Sequence, residues 1–220
     1  MDGFIKLDNG VDENRLPLIV IVGPTASGKT SLSIQLAKKY RGEIICADSR
    51  TVYRGMNIGT AKPSLEEQQE VSHWGLDLVD PGDSFSVSQF KDYACQKIKE
   101  IRNRGNIPFL VGGTGLYIDS VIFDFQFGAK SSKEKRANLQ EMTISELQQY
   151  CANHDVVLPE NSKNKRYLVR AIERADKKSS GLDTPLNNTI VVGITTDKQV
   201  LKQRITDRAK KMFKDGVVEE

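Results

Sequence analysis

Residues 23–30 read Gly23-Pro24-Thr25-Ala26-Ser27-Gly28-Lys29-Thr30. This is the G-x-x-x-x-G-K-T spacing of a phosphate-binding loop, in which glycines let the backbone approach phosphate oxygens and a lysine meets their charge. Backbone N–H groups can turn inward toward an anion, and a helix N-terminus following the loop adds partial positive charge. Thr30 offers a hydroxyl to a divalent cation, Mg²⁺, held between protein and phosphates. The loop alone does not say which phosphate compound binds or whether phosphate is transferred.

Three further groups carry chemistry. Asp48, followed by Ser49 and Arg50, could hold Mg²⁺ through water, act as a general base toward a substrate N–H or O–H, or cap the next turn. Gly112-Gly113-Thr114 repeats the small-residue logic, with Thr114 able to donate a hydrogen bond. Arg204 and Arg208, four apart on one helical face, could clamp a diphosphate; the alternative is two solvated arginines opposite an inner stripe of Leu201, Ile205 and Met212. Arg166 and Arg170 share that spacing. His73 and His154 lack partners at metal-ligand spacing, and Trp74 reads as a packing residue.

The elements that must position these groups follow from periodicity. Leu18–Val22 reads as a buried strand feeding the loop, and Thr30–Lys39 as the helix after it. Glu43–Cys46 is a second strand delivering Asp48, and 73–79 contains another short one. Ser86-x-x-Gln89 predicts a capping box opening a helix to about Arg104, with Phe90, Ala94, Ile98 and Ile101 inward. Ile107–Val111 is apolar on all sides and hence central. A helix from Leu116 to Phe123 follows, then a strand over Ile190–Ile194. Thr196-x-x-Gln199 reads as the cap of a helix to Lys214. This alternation predicts an α/β fold of the P-loop NTPase type, three layers with a parallel sheet between helices, and ligands outside the strand carboxyl ends. Residues 124–188 break the alternation with a Thr143-x-x-Glu146 capping box and a basic helix from Asn164 to Lys178. They read as a small helical insertion, the core being 17–123 with 189–220, and 1–16 a loose tail.

The 220 residues suffice for a sizeable core, and the net charge of +3 is too mild to argue about partners by itself. Its distribution says more: between Asn161 and Ser180 seven Lys/Arg face two Asp/Glu, a patch suited to a polyanion or to a solvated helix face. Cys46, Cys95 and Cys151 form no CxxC pair, which argues against a disulfide framework or a zinc site and fits a reducing compartment. With no long apolar run, the expectation is a cytoplasmic protein that does not enter membranes; a monomer is expected.

The loop Gly23–Thr30, the stretch ADSRTVYRGMNIGTAKP at Ala47–Pro63, LVGGTGLY at Leu110–Tyr117 and RAIE at Arg170–Glu173 resemble the tRNA dimethylallyltransferase family. The segment GMNIGTAKP is the most distinctive, since kinases and GTPases do not share it. The resemblance implies transfer of a dimethylallyl group from dimethylallyl diphosphate to the exocyclic N6 of adenosine 37, beside the anticodon in the tRNA anticodon stem-loop, in tRNAs reading codons that begin with U. It also implies that the P-loop holds a leaving diphosphate. Asp48 matches the family's proton-accepting aspartate, and Ser49, Arg50 and Thr51 continue the tRNA-contacting segment. Thr114 matches a threonine at the channel mouth. Arg136 and the run Arg166, Tyr167, Leu168, Val169, Arg170 match further tRNA contacts, with Tyr167 where an arginine or similar residue often stands. Arg204 and Arg208 match arginines that approach the diphosphate. Family members usually run longer than this chain and carry further helices beside the sheet. The rival readings are a small-molecule P-loop kinase, which would bind ATP, and a non-catalytic RNA-binding module. A GTPase lacks support, because no NKxD-like signal is present.

Overall fold

The strand β1 (Leu18–Val22) alternates between two helical layers, with Leu18 and Val20 buried against one and Ile21 against the other. A strand covered on both faces must be apolar throughout, and LIVIV is. In the computed structural model, which describes residues 16–127, 133–175 and 181–220, the next elements are α1 (Lys29–Tyr40), β2 (Gly42–Cys46), α2 (Leu65–Glu70), β3 (His73–Trp74), α3 (Val87–Asn103), β4 (Ile107–Gly112) and α4 (Gly115–Ile122). After these come α5 (Lys133–Glu141), α6 (Ile144–Asn153), α7 (Lys165–Ala175), β5 (Thr189–Gly193) and α8 (Lys198–Lys214).

The five strands pair in parallel in the order β3-β2-β4-β1-β5. Ile45 and Leu110 join Leu18 and Val20 beneath α3 and α4, which contribute Phe90, Ala94, Ile98, Ile101, Tyr117, Ile118 and Val121. On the opposite face Ile44, Phe109 and Val111 join Ile21 beneath Ile34 and Ala37 of α1. This is the expected P-loop NTPase-like α/β sandwich. β4 lies in the middle, so the carboxyl ends of β2, β4 and β1 are neighbours.

The chain divides into two compact units, one of residues up to Asp124 with Asp183–Glu220 and one of Phe125–Leu182. In the second, α5, α6 and α7 bury Leu139, Leu147, Cys151, Leu168, Val169 and Ile172 together. Among the described residues no helix is long and apolar enough to cross a membrane.

The local capping and strand signals are realised unevenly. The boxes at Ser86/Gln89 and Thr143/Glu146 form as expected, and an unforeseen one, Ser64/Glu67, starts α2. The Thr196 box does not start α8. Asp197 does, accepting from the Gln199 and Val200 N–H groups at 2.9 and 3.2 Å, because a carboxylate there also meets the helix dipole. β3 stops after two residues because Gly75 and Asp77 take positive φ. α8 buries none of its residues, so Leu201, Ile205 and Met212 are not a core stripe. β5 lies at the sheet edge with Ile190 and Val191 exposed. The helix α5 had no sequence-based counterpart. The tail over 1–15 and the parts of the insertion at 128–132 and 176–180 lie outside the described residues.

Candidate active site

The loop between β1 and α1 is shaped by backbone conformations that favour small residues. Gly28 has φ +94° and Ala26 φ +63°. A Cβ on Gly23 would lie 2.8 Å from the Ile194 carbonyl oxygen, so the exit of β1 leaves no room for one. Lys29 Nζ donates to the Gly23 and Pro24 carbonyls at 2.8 and 2.7 Å, folding the ammonium over the loop. Residues 25–30 line a cavity of about 630 Å³ at the strand carboxyl ends.

Asp48 stands on the same cavity wall, just beyond β2. One of its oxygens accepts the Arg50 N–H at 2.8 Å, which sets the carboxylate's direction. Arg50 and Thr51 also line the cavity, and Thr51 is buried with its hydroxyl 3.4 Å from the Asp48 carbonyl. Thr114 takes a supporting place: its Oγ1 accepts the Ser49 N–H at 3.0 Å and lies 3.4 Å from the Ser49 hydroxyl. Neither Thr114 nor Ser49 is among the lining residues. Gly112 and Gly113 do line the cavity, but the reason Gly112 must be glycine is protein, not ligand. A Cβ there would sit 2.0 Å from the Ala47 carbonyl oxygen, where β2 and β4 leave the sheet. Ala47 N–H donates to Val111 at 2.7 Å and the Thr114 N–H to Ala47 at 3.2 Å, so this close approach couples Asp48 to β4.

Arg208 lines the cavity from α8, whereas Arg204, one turn earlier, is exposed and outside the lining. Burial pulls the Lys29 pKa below its ordinary value; the charge of Asp48 opposes that and the charge of Arg208 adds to it. An anion between Lys29 and Arg208 would relieve the repulsion, so the cavity favours a phosphate ligand. Cys46 also faces it, but burial, then Asp48, pushes its thiol up to about 12, leaving it inert. Among the described residues no cluster of three or more His, Cys, Asp or Glu gathers as a metal set. Thr30 and Asp48 are hard oxygen donors that suit Mg²⁺ when phosphate oxygens and water complete its shell.

Two parts of the wall were missed in the sequence. Gly59, Thr60, Ala61 and Pro63 form one side, and the only signal for them was the GMNIGTAKP segment itself. His73 forms another. Its Nδ1 lies 2.8 Å from the Val71 carbonyl, which assigns it the proton, while Nε2 is buried without a partner. Burial lowers its pKa, keeping the ring neutral.

In the small unit, Arg136, Gln140, Asn164, Lys165, Arg166, Val169 and Arg170 line a separate basic cavity of about 590 Å³. Arg136 approaches Glu173 at 3.7 Å. The run 166–170 divides by helical phase. Arg166, Tyr167 and Arg170 are exposed, while Leu168 and Val169 are buried in the unit's core, Val169 also reaching the cavity wall.

The geometry has its counterparts among known proteins. The IPP transferase family model matches residues 51–220, and an isopentenyl transferase model matches 16–78. The tRNA dimethylallyltransferase of Staphylococcus carnosus is 41% identical over 94% of this chain and 71% of its own length. That of Bacillus subtilis is 35% identical over 96% and 72%. The crystal structure of the full-length tRNA isopentenylpyrophosphate transferase of Bacillus halodurans superposes with a TM-score of 0.66 at 39% identity, over 92% of this chain and 68% of that one. A eukaryotic dimethylallyltransferase captured acting on tRNA superposes at 0.76 with 27% identity, over 92% and 54%. A match spanning P-loop, Asp48 segment and small unit alike identifies this chain as a member of the IPP transferase family.

Proposed function

We propose that this protein transfers the dimethylallyl group of dimethylallyl diphosphate to the exocyclic N6 of adenosine 37 in tRNAs reading codons that begin with U. The products are N6-(dimethylallyl)adenosine and diphosphate. The observation that carries the proposal is one cavity lined by an anion-binding loop, Lys29, Arg208 and Asp48 together.

In the reaction the adenine N6 lone pair forms a bond to C1 of the dimethylallyl group, and the C1–O bond to the diphosphate breaks. Charge develops on the departing oxygen, where fixed N–H groups, Lys29 and Arg208 stabilise it most. The N6 proton becomes acidic as the C–N bond forms and passes to Asp48. The Arg50 N–H, holding one Asp48 oxygen at 2.8 Å, orients the carboxylate for that role. Mg²⁺, when bound, would be held by Thr30 and would neutralise diphosphate charge. Arg136, Arg166 and Arg170 supply the phosphate contacts to the anticodon stem-loop, whose target base must leave its stack to react. The setting is a cytoplasmic monomer.

The test is incubation with dimethylallyl diphosphate, Mg²⁺ and unmodified tRNA bearing adenosines at 36 to 38, followed by nucleoside analysis. N6-prenylated adenosine is expected, and its absence from folded protein would refute the proposal. Calorimetric titration with dimethylallyl diphosphate and with ATP separates the rivals. Tighter ATP binding with phosphate transfer to an acceptor would identify a kinase, and binding of neither an RNA module.

A further inference from the structure

Past α8 the chain turns at Gly216 (φ +94°), where the Glu219 and Glu220 N–H groups both donate to the Gly216 carbonyl. This turn brings Glu220 onto the loop 55–62. One Glu220 oxygen accepts the Asn57 N–H and, at 2.7 Å, the Ile58 N–H; the other accepts the Gly59 N–H at 2.8 Å. Three successive backbone N–H groups aimed at one carboxylate form an anion nest. A Cβ on Gly59 would lie 3.3 Å from Val217 Cγ2 and 3.4 Å from Glu220 Oε2, so the turn packs on this loop as well as bonding to it. The N–H groups of Gly59, then Ile58 and Asn57, hold the Glu220 carboxyl below the usual carboxylate range, against burial.

The loop is held at its far end by Lys62, whose N–H donates to Asn57 at 3.0 Å and whose Nζ pairs with Asp77 at 2.7 Å, and Glu220 holds its middle. The loop belongs to no helix or strand, and Gly55 and Ala61 both take positive φ. Gly59, Thr60 and Ala61 nevertheless line the cavity together with the P-loop and with Ile205, Arg208 and Met212 of α8, a helix that buries none of its own residues. Glu220 itself is exposed and outside the lining. Its carboxylate therefore joins two cavity walls without touching a ligand.

We infer that Glu220 is a positioning residue for this site: by filling the 57–59 nest it ties the wall at 59–61 to the helix that presents Arg208. The inference rests on the function proposed above. It is tested in the full chain with Glu220→Ala and Glu220→Gln, by amide hydrogen exchange and steady-state transfer. In Glu220→Ala, exchange at 57–59 should accelerate while β1 and β4 keep their protection. The KM for dimethylallyl diphosphate should rise about tenfold with kcat nearly unchanged, as expected when a charge-assisted acceptor is removed beside a site. Sodium formate, a carboxylate small enough to enter the emptied nest, should lower that KM again and leave the unsubstituted protein unaffected. Glu220→Gln should fall between, because its amide NH₂ faces one of the N–H donors. Unchanged exchange at 57–59, or faster exchange with an unchanged KM, would overturn the inference. So would a loss that formate does not recover. Should Glu220→Ala not fold, Glu220→Gln decides by the same two measurements. If the unsubstituted protein transfers no prenyl group, the functional reading fails, while exchange at 57–59 still decides whether the carboxylate holds the loop.

Discussion

Replacing Asp48 by Asn separates proton acceptance from everything else the residue does. Asn keeps a carbonyl oxygen for the Arg50 N–H, now 2.8 Å from the carboxylate, so the turn after β2 survives. The seam between β2 and β4 is made by backbone at Ala47, Val111 and Thr114 and is untouched. Stability should therefore change by less than about 1 kcal/mol. Losing the carboxylate charge leaves Lys29 with burial and Arg208 acting on it alone, both lowering its pKa. Dimethylallyl diphosphate supplies new negative charge when it binds, so its affinity should be held or slightly raised. What is lost is the acceptor for the N6 proton, roughly 10²–10⁴-fold in the chemical step, or about 3–5 kcal/mol of barrier. Single-turnover transfer with both substrates saturating, alongside calorimetric titration of dimethylallyl diphosphate, reads the two quantities separately. Thr30→Ala should give the opposite pattern, weakening Mg²⁺-dependent diphosphate binding first. A collapse of diphosphate affinity in Asp48→Asn with the saturated rate preserved would refute the assignment and make Asp48 a metal holder.

Other expectations follow from the same contacts. Gly112→Ala drives a methyl to 2.0 Å from the Ala47 carbonyl oxygen, so it should cost about 2–4 kcal/mol by forcing the strand ends apart, seen as a lower urea midpoint; a midpoint equal to that of the unsubstituted protein would show that the seam yields freely. Reversing charge at Arg166 and Arg170 should weaken tRNA binding and flatten its salt dependence without changing dimethylallyl diphosphate affinity; unaltered tRNA affinity would make that cavity a solvated face. Glu43, buried at the start of β2, would be raised by burial, yet hydrogen bonds from Arg104, Asn106 and Trp74 outweigh it and hold its pKa below the ordinary value. A depressed carboxyl stabilises the fold fully above its unfolded pKa and loses that contribution as pH falls through its folded one. Glu43→Gln should thus cost about 2 kcal/mol at pH 7 and less at pH 4, and a deficit equal at both pH values would contradict the linkage.

What the sequence disclosed was what local chemistry dictates. The P-loop spacing, the apolar runs of β1, β2 and β4, and the inward Phe90, Ala94, Ile98 and Ile101 stripe of α3 each carry their own periodicity, and the sheet follows from them. Placing Asp48 beside the loop needed only the rule that parallel sheets bind ligands at strand carboxyl ends. Relations between distant segments were not legible. Nothing in Gly112 says that its neighbour is Ala47 and not a ligand, and nothing in Arg204 and Arg208 says that only the second reaches the cavity. His73 has no partner at metal-ligand spacing in the sequence, and its contribution, an unpaired ring nitrogen on the wall, depends on the fold. Leu168 and Val169 came with their arginine neighbours by family likeness, and the phase of α7 turns them inward.

The strand order has a consequence for how the chain acquires its fold. β1 is made before both of its partners, which are β4, with Val20 opposite Leu110, and β5, with Leu18 opposite Thr189. At about 5–20 residues per second the ribosome needs roughly 10–35 s to deliver the second partner after the first strand. Throughout that interval LIVIV is a short apolar β-former with at least one open edge, and the whole small unit is made before the edge can close. Nascent chains halted before residue 189 should accordingly bind chaperones through β1, and release into solution at that length should give aggregates where the longer chain folds.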